Sequence, residues 1–399
     1  MQNLIQRYLK GDKALWSFII LLALFSFLPV YSASSNLVYT VGSGTVASHI
    51  FKHAAFLIGG LLIIFAIQKA DYRWFGLLAL AAVIILSIVL LITLLTGSTI
   101  EGANASRWLT IPGLGVGIQP SMLASQALLI YVARFLTKTR TKELKFKETI
   151  VPLFLPILVV VGLILPSNGS TAIMLAGMCG LLLFIGGYPI KYLLLIALVG
   201  AVLVGIFVYI AFDYPDLVPN SRVHTWMSRI TKFANDDGVE GYQVLRAKAA
   251  IARGLDEMAG PGKSVFKQTL PQSSSDFIFA IIVEEYGAFG AFFLIGIFTL
   301  ILYRICMIAS KIHTFFGTLL VFAVGMPIII QAFVNMAVAV NLFPVTGQPL
   351  PLISYGGTSL WMTCISFGII LSVSTKIKSK EEIEQEKKLV SDEVIEDIA

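Results

Sequence analysis

Charged side chains are scarce in this 399-residue chain. They make up 13% of the residues, and hydrophobic residues make up 57%, whereas soluble domains average about 25% and 45–50%. This scarcity excludes an ordinary soluble domain and indicates an integral membrane protein. Cysteine is scarce too, and Cys179, Cys306 and Cys364 all lie inside apolar stretches, where a thiol usually packs as a small hydrophobic group. The sequence therefore provides no disulfide framework.

Several common ligand signatures are also absent. The four histidines have no metal-ligand spacing, so no metal site is predicted from them. The run Gly260–Ser264 resembles the end of a phosphate-binding loop, but Glu257 occupies the position of that motif's first glycine. The basic residues lie beside apolar stretches and not in one polar patch, which favours membrane topology over nucleic-acid binding.

The chain has ten apolar stretches, and about 20 apolar residues suffice to cross a bilayer as a helix. They are predicted at 14–33, 50–68, 74–96, 119–136, 150–165, 170–187, 189–212, 277–304, 313–340 and 353–375. The fifth and sixth are separated by Pro166, Asn168 and Gly169 and could instead form one broken helix. The distribution of basic residues between the stretches favours two separate helices.

Every second connection carries Lys or Arg, whereas residues 34–49, 166–169 and 341–352 carry neither. Basic connections face the cytoplasm. We therefore predict an all-α polytopic membrane protein with about ten transmembrane helices and both termini in the cytoplasm. The long segment 213–276, between the seventh and eighth helices, is predicted to be extracytoplasmic. Residues 1–375 are predicted to form one transmembrane domain, and residues 376–399 a charged cytoplasmic tail.

The long polar segment ends in the run LPQSSSDFIFA at 270–280, where the chain re-enters the membrane. A carboxylate at such a boundary is costly, which makes Asp276 a candidate functional residue. The alternative is structural: Ser275 or Asp276 would cap the helix that begins at Phe277 by accepting bonds from free backbone amides. The residues by themselves do not decide between these interpretations.

Five groups of residues together resemble the SEDS family of shape, elongation, division and sporulation proteins. They are GANASRWL at 102–109, IQPS at 118–121, LPQSSSDFIFA at 270–280 followed by EEYG at 284–287, QAFVN at 331–335, and PVTGQPLPLISYGG at 344–357. The resemblance covers nearly the whole chain in order. It implies a peptidoglycan glycosyltransferase that polymerises lipid II outside the bacterial cytoplasmic membrane and works with a class B penicillin-binding protein.

This reaction needs a base and a group that stabilises the leaving undecaprenyl diphosphate. Partial loss of water around Asp276 favours its binding a proton, so the resemblance and the chemistry make it the expected general base. Fixed cations would stabilise the diphosphate, and the candidates are Arg107, Arg229, Arg246, Lys248, Arg253 and Lys263. Further candidate substrate-binding residues, within the motifs that carry the resemblance, are Trp108, Gln119, Ser354 and Tyr355.

Residues 243–258 are predicted to form a short amphipathic helix, with Arg246 and Arg253 seven residues apart on one face. An equally open interpretation is an interfacial helix that contacts phospholipid headgroups. Glu284 and Glu285 follow Asp276 by two turns. One of them is expected to pair with an arginine or to bind a divalent cation such as Mg²⁺ or Mn²⁺; no other cofactor is predicted.

The chain departs from its family at three places. Met122 and Ser125 stand where relatives carry glutamate and lysine, and Ser167 and Asn168 stand near a common aspartate. The three charges are absent together. This favours a neutral version of a structural or substrate-gating network, because removing one charge alone would leave the other charges buried without a partner.

Three rival functions remain open at this point. Within the family, the sequence favours the division branch (FtsW), which acts at the septum with other division-complex proteins, over the elongation branch (RodA). A lipid-precursor flippase or other transporter would also have about ten helices. A noncatalytic scaffold of the division complex is the third alternative, and it would tolerate a neutral residue at position 276.

Overall fold

The computed structural model describes residues 9–39, 44–96, 108–110, 117–140, 145–213 and 241–377. Helices dominate these ranges. They are α1 Lys13–Tyr39, α2 Val46–Ile67, α3 Arg73–Thr96, α4 Pro120–Thr139, α5 Phe146–Ile164, α6 Gly169–Ile185, α7 Ile190–Asp213, α8 Tyr242–Asp256, α9 Ile278–Lys311, α10 Phe315–Ala339 and α11 Gly357–Ser374. Two short strands, β1 Leu109–Thr110 and β2 Gly117–Ile118, pair antiparallel with Leu109 opposite Ile118.

A helix lies at each of the ten predicted apolar stretches. Seven of the described helices are long and apolar enough to cross a membrane by length and composition: α1, α2, α3, α5, α9, α10 and α11. The apolar runs of α6 and α7 are shorter, and α4 is less hydrophobic but buried along much of its length. The chain is therefore mainly a bundle of membrane-spanning helices.

The fifth and sixth stretches form two helices, α5 and α6, which pack against each other. The Asn168 side chain caps α6 by accepting a hydrogen bond from the Thr171 amide at 3.4 Å. Within α5, residues Ile150–Phe154 form a π-helical turn. Pro156 has no amide hydrogen to donate to the Pro152 carbonyl four residues earlier, and the Tyr131 hydroxyl donates to that carbonyl instead.

The core lies where α10 and α11 pack between the other helices. Most of α11 is buried, and it packs against α2 and α10, while α4 packs against α3 and α10. Glycine permits the closest of these approaches: a Cβ at Gly60 of α2 would lie 2.6 Å from the Cys364 sulfur of α11. Small residues at such contacts increase van der Waals packing, which drives helix association in lipid.

An ion pair ties three helices together at one end of the bundle. The Arg304 guanidinium of α9 donates to both carboxylate oxygens of Asp12, which precedes α1. The Asp12 amide in turn donates to the Ser374 hydroxyl of α11 at 2.9 Å. The two charged side chains are only 27% and 12% exposed, so water screens the pair weakly.

We expect Arg304→Ala to lower the free energy of unfolding by about 1.5–3 kcal/mol, because charged hydrogen bonds at a half-buried site are lost. Thermal unfolding of the purified protein in detergent measures the effect. Lys376→Ala is the matched control, since the Lys376 amine lies 3.9 Å from Asp71 and both side chains are well exposed. Equal stability losses in the two variants would contradict this prediction.

Candidate functional site

Asp276 lies in a compact turn that immediately precedes α9. Gln272 adopts a left-handed backbone conformation (φ 56°), and its carbonyl accepts bonds from the Ser275 and Phe277 amides, both at 3.1 Å. The helix begins at Ile278, and no side chain caps it at Phe277. Phe277, and not Ser275 or Asp276, therefore occupies the N-cap position of α9. Because Asp276 precedes the helix, it also does not share a helical face with Glu284.

The loop between α10 and α11 packs directly on this turn. The Ser354 hydroxyl donates to the Ser275 carbonyl at 2.6 Å and accepts from the Leu350 amide at 2.7 Å. The Tyr355 amide donates to the Ser274 carbonyl at 2.9 Å. Two of the motifs that are distant in sequence are thus joined through backbone carbonyls. Ser354, a predicted substrate-binding residue, has both of these bonds inside the protein.

Asn335, in α10, is hydrogen-bonded to the same two segments. Its side-chain nitrogen donates to the carbonyl of Asp276 and to that of Gln348, each at 2.8 Å. The side chain is 1% exposed, so these bonds are shielded from water. Sequence reasoning quoted Asn335 within a motif but did not select it. An amide in an apolar helix is a signal that could have identified it.

The Asp276 carboxylate lies against the backbone of Gly347. A Cβ at Gly347 would be 3.5 Å from the Asp276 Oδ2 atom, and Gly347 also has a positive φ of 69°, which a side chain would disfavour. Glycine in the second motif therefore lets its loop approach the carboxylate closely. Asp276 itself is only partly buried, so its carboxylate is held by the fold yet remains accessible.

We expect Asn335→Leu to reduce the turnover rate of whatever reaction Asp276 serves, because the Asp276 carbonyl loses its fixed donor. The loss of stability should be about 1–3 kcal/mol, the cost of leaving buried carbonyls unpaired. Gln331→Leu is the matched control, since the Gln331 side chain donates to Pro349 at 2.7 Å and not to the Asp276 turn. Comparing turnover and thermal unfolding of the two variants tests this, and equal turnover would contradict it.

Two buried histidines lie next to Tyr355, and sequence reasoning missed them. His49 Nδ1 is 3.1 Å from the Tyr355 hydroxyl, and His53 Nε2 is 2.8 Å from the Ser26 hydroxyl. Their spacing of four residues, which places both on one face of α2, was the available signal. Tyr355, a predicted substrate-binding residue, is therefore oriented from α2 as well as from the turn.

The prediction that one of the two glutamates pairs with an arginine is confirmed. Arg253 Nη1 donates to Glu284 Oε1 at 3.0 Å, so this arginine of α8 already pairs with a carboxylate of the protein. Glu285 accepts from the Ser32 hydroxyl and the Ser264 amide. Among the described residues, no group of three or more His, Cys, Asp or Glu side chains could hold a metal ion. These residues therefore provide no such group of ligands for the divalent cation that was the alternative prediction.

The other predicted cations differ in their surroundings. Arg246 lies over the rings of Tyr242 and Phe266, at 5.2 and 5.9 Å from their centroids. Lys248 and Lys263 are exposed. Arg107 and Arg229 fall outside the described residues, whereas the neighbouring Trp108 and the α4-preceding Gln119 are partly buried and buried, respectively.

A cavity of about 100 Å³ lies between α4, α6, α10 and α11. Met122 and Ser125, where the family resemblance implies charges, both line it, together with Gln331 and Gln348. All side chains that line the cavity are neutral, as expected if Met122 and Ser125 replace a pair of charges. Ser167 is not part of this lining. The three substituted positions therefore do not all face one cavity.

Known proteins resemble this chain in sequence. A family model for FtsW, RodA and SpoVE, described as cell cycle protein, matches residues 12–379. A relative from Halomonas elongata, named probable peptidoglycan glycosyltransferase FtsW, is 30% identical over 91% of this chain and 90% of its own length. A relative of the same name from Saccharophagus degradans is 32% identical over 82% of both chains.

Two solved structures share the fold. A chain from a peptidoglycan synthase complex that coordinates polymerization and crosslinking is 25% identical, with a TM-score of 0.74 over 93% of this chain and 99% of that one. The Thermus thermophilus rod shape determining protein RodA is 22% identical, with a TM-score of 0.64 over 94% and 100%. The family match, the relatives and the shared fold establish that this chain is an integral membrane protein of the FtsW/RodA/SpoVE (SEDS) family.

Proposed function

We propose that this protein is a peptidoglycan glycosyltransferase that polymerises lipid II, an undecaprenyl-diphosphate-linked disaccharide peptide, into glycan strands. The observation that carries the proposal is the position of Asp276. Two family motifs fix its backbone through Asn335 and Ser354, while its carboxylate lies at Gly347 and is partly exposed. A rigidly held, accessible carboxylate is what a general base requires.

The proposed step is an inverting glycosyl transfer. A hydroxyl of the acceptor sugar attacks the anomeric carbon of the donor, and Asp276 accepts the hydroxyl proton. The new glycosidic C–O bond forms as the bond between the anomeric carbon and the diphosphate oxygen breaks. Undecaprenyl diphosphate leaves with the electron pair of that bond. No step of this scheme requires a protein nucleophile, because the acceptor hydroxyl attacks the donor directly.

Cations near the leaving diphosphate would lower the barrier further. Of the described candidates, Lys248 in α8 and Lys263 on the loop before α9 are exposed. Arg246 lies over two aromatic rings, and Arg253 pairs with Glu284. Lys248, Lys263 and Arg107 from the motif at 102–109 are proposed to contact the diphosphate. Trp108, Gln119 and Tyr355 are proposed to contact the sugars or their peptide.

The proposed topology places this chemistry at the outer face of the cytoplasmic membrane. Ten spans put both termini in the cytoplasm and segment 213–276 outside, because the basic connections face inward. Arg304 and Lys311 of α9 then lie at the inner side and Asp276 at the outer side. Residues 1–375 act as one domain, with 376–399 as a cytoplasmic tail. The cavity beside the site would let the polyprenyl tails stay in the membrane.

The proposed partner is a class B penicillin-binding protein. The structural relative belongs to a complex that couples polymerization to crosslinking, which is the division of labour such a partner would provide. The names of the most similar relatives favour the division branch, so we propose that this complex acts at the septum with other division proteins.

The test is glycan-chain formation from purified lipid II by this protein with its cognate penicillin-binding protein, whose own polymerisation is measured separately. We expect polymer from the native protein and none above background from a chain altered at Asp276. Lipid translocation without polymer would replace the proposal with a transporter. Absence of both activities from a correctly assembled native complex would favour the scaffold function. Rescue of an elongation mutant but not a division mutant would assign the chain to the elongation branch.

A further inference from the structure

Glu284 is fully buried in α9, yet the proposed chemistry does not use it. Its carboxylate accepts bonds from Arg253 Nη1 at 3.0 Å, from the Val265 amide at 2.8 Å and from the Ser264 hydroxyl and the Phe266 amide. Burying a carboxylate is costly unless it is paired and hydrogen-bonded. This concentration of donors on one side chain indicates a specific role in fixing the segment that supplies them.

The donors come from a segment that returns to Glu284 along the chain. Residues 264–266 contact the Glu284 side chain, and the chain then runs through Asp276 into α9 and back to Glu284 itself. The Glu284 carboxylate thus closes a loop that contains Asp276. Closing a loop restricts its conformations and lowers the entropy lost on fixing it in one of them.

Other bonds make the closed loop stiff. Residues Phe266–Gln268 form a 3₁₀ turn, and the Ser273 hydroxyl donates to the Lys267 carbonyl at 3.1 Å. Before the loop, the Ala259 and Gly260 amides donate to the carbonyls of Glu284 and Glu285, each at 3.0 Å. The chain before the loop is therefore bound to the same turn of α9 that carries Glu284.

We propose that Glu284 is a positioning residue, which holds the loop 264–284 closed on α9 and so presents the Asp276 carboxylate to the acceptor hydroxyl. The inference rests on the proposed function. Glu284 is fully buried and lies about 9 Å along α9 from its first residue, Ile278, so Glu284 acts through the loop and not by contact with substrate. Arg253 completes the closure from α8, and Asn335 and Ser354 hold the opposite side of the turn.

Glu284→Gln tests this proposal, because it keeps the size of the side chain and removes its charge. Glu257→Gln is the matched control, since Glu257 is an exposed acid that follows α8 and lies outside the loop 264–284. We expect the Glu284 variant to lose about 10- to 100-fold in kcat with KM for lipid II little changed, as misplacement of a catalytic group predicts. Hydrogen exchange of the 264–277 amides should accelerate, while the amides of α3, which packs on α4 and α5, should exchange at the native rate.

A double variant separates positioning from general damage. If Glu284 acts only through Asp276, then Asp276→Asn with Glu284→Gln should be no less active than Asp276→Asn alone. A further loss in the double variant, or native kcat and native exchange in Glu284→Gln, would overturn the proposal. If Glu284→Gln does not fold, Arg253→Gln must give the same pattern, since its guanidinium is the exposed member of the pair. If the native protein forms no polymer but Glu284→Gln still exchanges faster at 264–277, the loop closure is retained and only the proposed function is refuted.

Discussion

Asparagine in place of Asp276 is expected to slow glycan-chain formation by about 10²- to 10⁴-fold, the range typical of a lost general base. The amide has the size of the carboxylate but does not accept the proton of the acceptor hydroxyl. The contacts that fix this turn go to backbone atoms: Asn335 to the Asp276 carbonyl and Ser354 to the Ser275 carbonyl. They remain available in the variant, so the chemistry should fail while the fold persists.

The measurement is the initial rate of polymer formation from lipid II, at equal amounts of folded protein in complex with the penicillin-binding partner. Asp256→Asn serves as the control, because Asp256 is an exposed acid at the end of α8 and receives the same chemical change. Both variants should bind the partner and unfold at nearly the native temperature. A near-native rate in Asp276→Asn would move the base to another residue.

Alanine in place of Gly254 is expected to produce the largest loss of stability. A Cβ at this position would overlap the Val283 carbonyl oxygen and lie 2.5 Å from the Glu284 Cα, so the obstacle is backbone and not a movable side chain. Helix α8 would have to move away from α9, and Arg253 would move with it. Loss of the charged hydrogen bond from Arg253, which is 43% exposed, costs about 1.5–3 kcal/mol, and the lost packing of α8 on α9 adds to it.

Thermal unfolding in detergent, followed by tryptophan fluorescence, measures this loss. Gly177→Ala in α6 is the matched control, since a Cβ there meets nothing within 4 Å. The control should be neutral or more stable, because alanine favours a helix over glycine by about 0.8–1 kcal/mol. Gly254→Ala should unfold at a much lower temperature and should also lose polymerase activity. Equal unfolding temperatures would show that α8 does not need its close contact with α9.

Much of the fold was predictable because membrane insertion selects on local composition. A stretch that is apolar over about 20 residues must satisfy its backbone internally, and the helix does so within the stretch itself. Helix ends were less predictable. The last apolar stretch was expected from 353, but α11 begins at Gly357, since the preceding loop bonds to the Asp276 turn instead of continuing the helix. Gly287 kinks α9 through a positive φ of 62°, which hydropathy does not encode.

The candidate site was predictable in part. Asp276 stood out as a carboxylate at a membrane boundary, and Ser354 and Tyr355 followed from the family motif. The basic residues of the loop could not be ranked, because Arg246 and Arg253 look equivalent on one face of a helix. In the fold, Arg246 packs on two aromatic rings, whereas Arg253 meets a buried glutamate 31 residues further along the chain.

The sequence by itself determined that this protein is a bundle of membrane helices. It also singled out Asp276 as the acid to test, and Met122 and Ser125 as positions where the family resemblance implies charges. These conclusions depend on local hydropathy or on motifs read in order. The tertiary structure decided that Asn335 donates to the Asp276 carbonyl, that Glu284 closes its loop and that Phe277 occupies the N-cap position of α9. Such contacts join residues that are far apart in the chain, and only the packing of the helices determines which donors and acceptors meet.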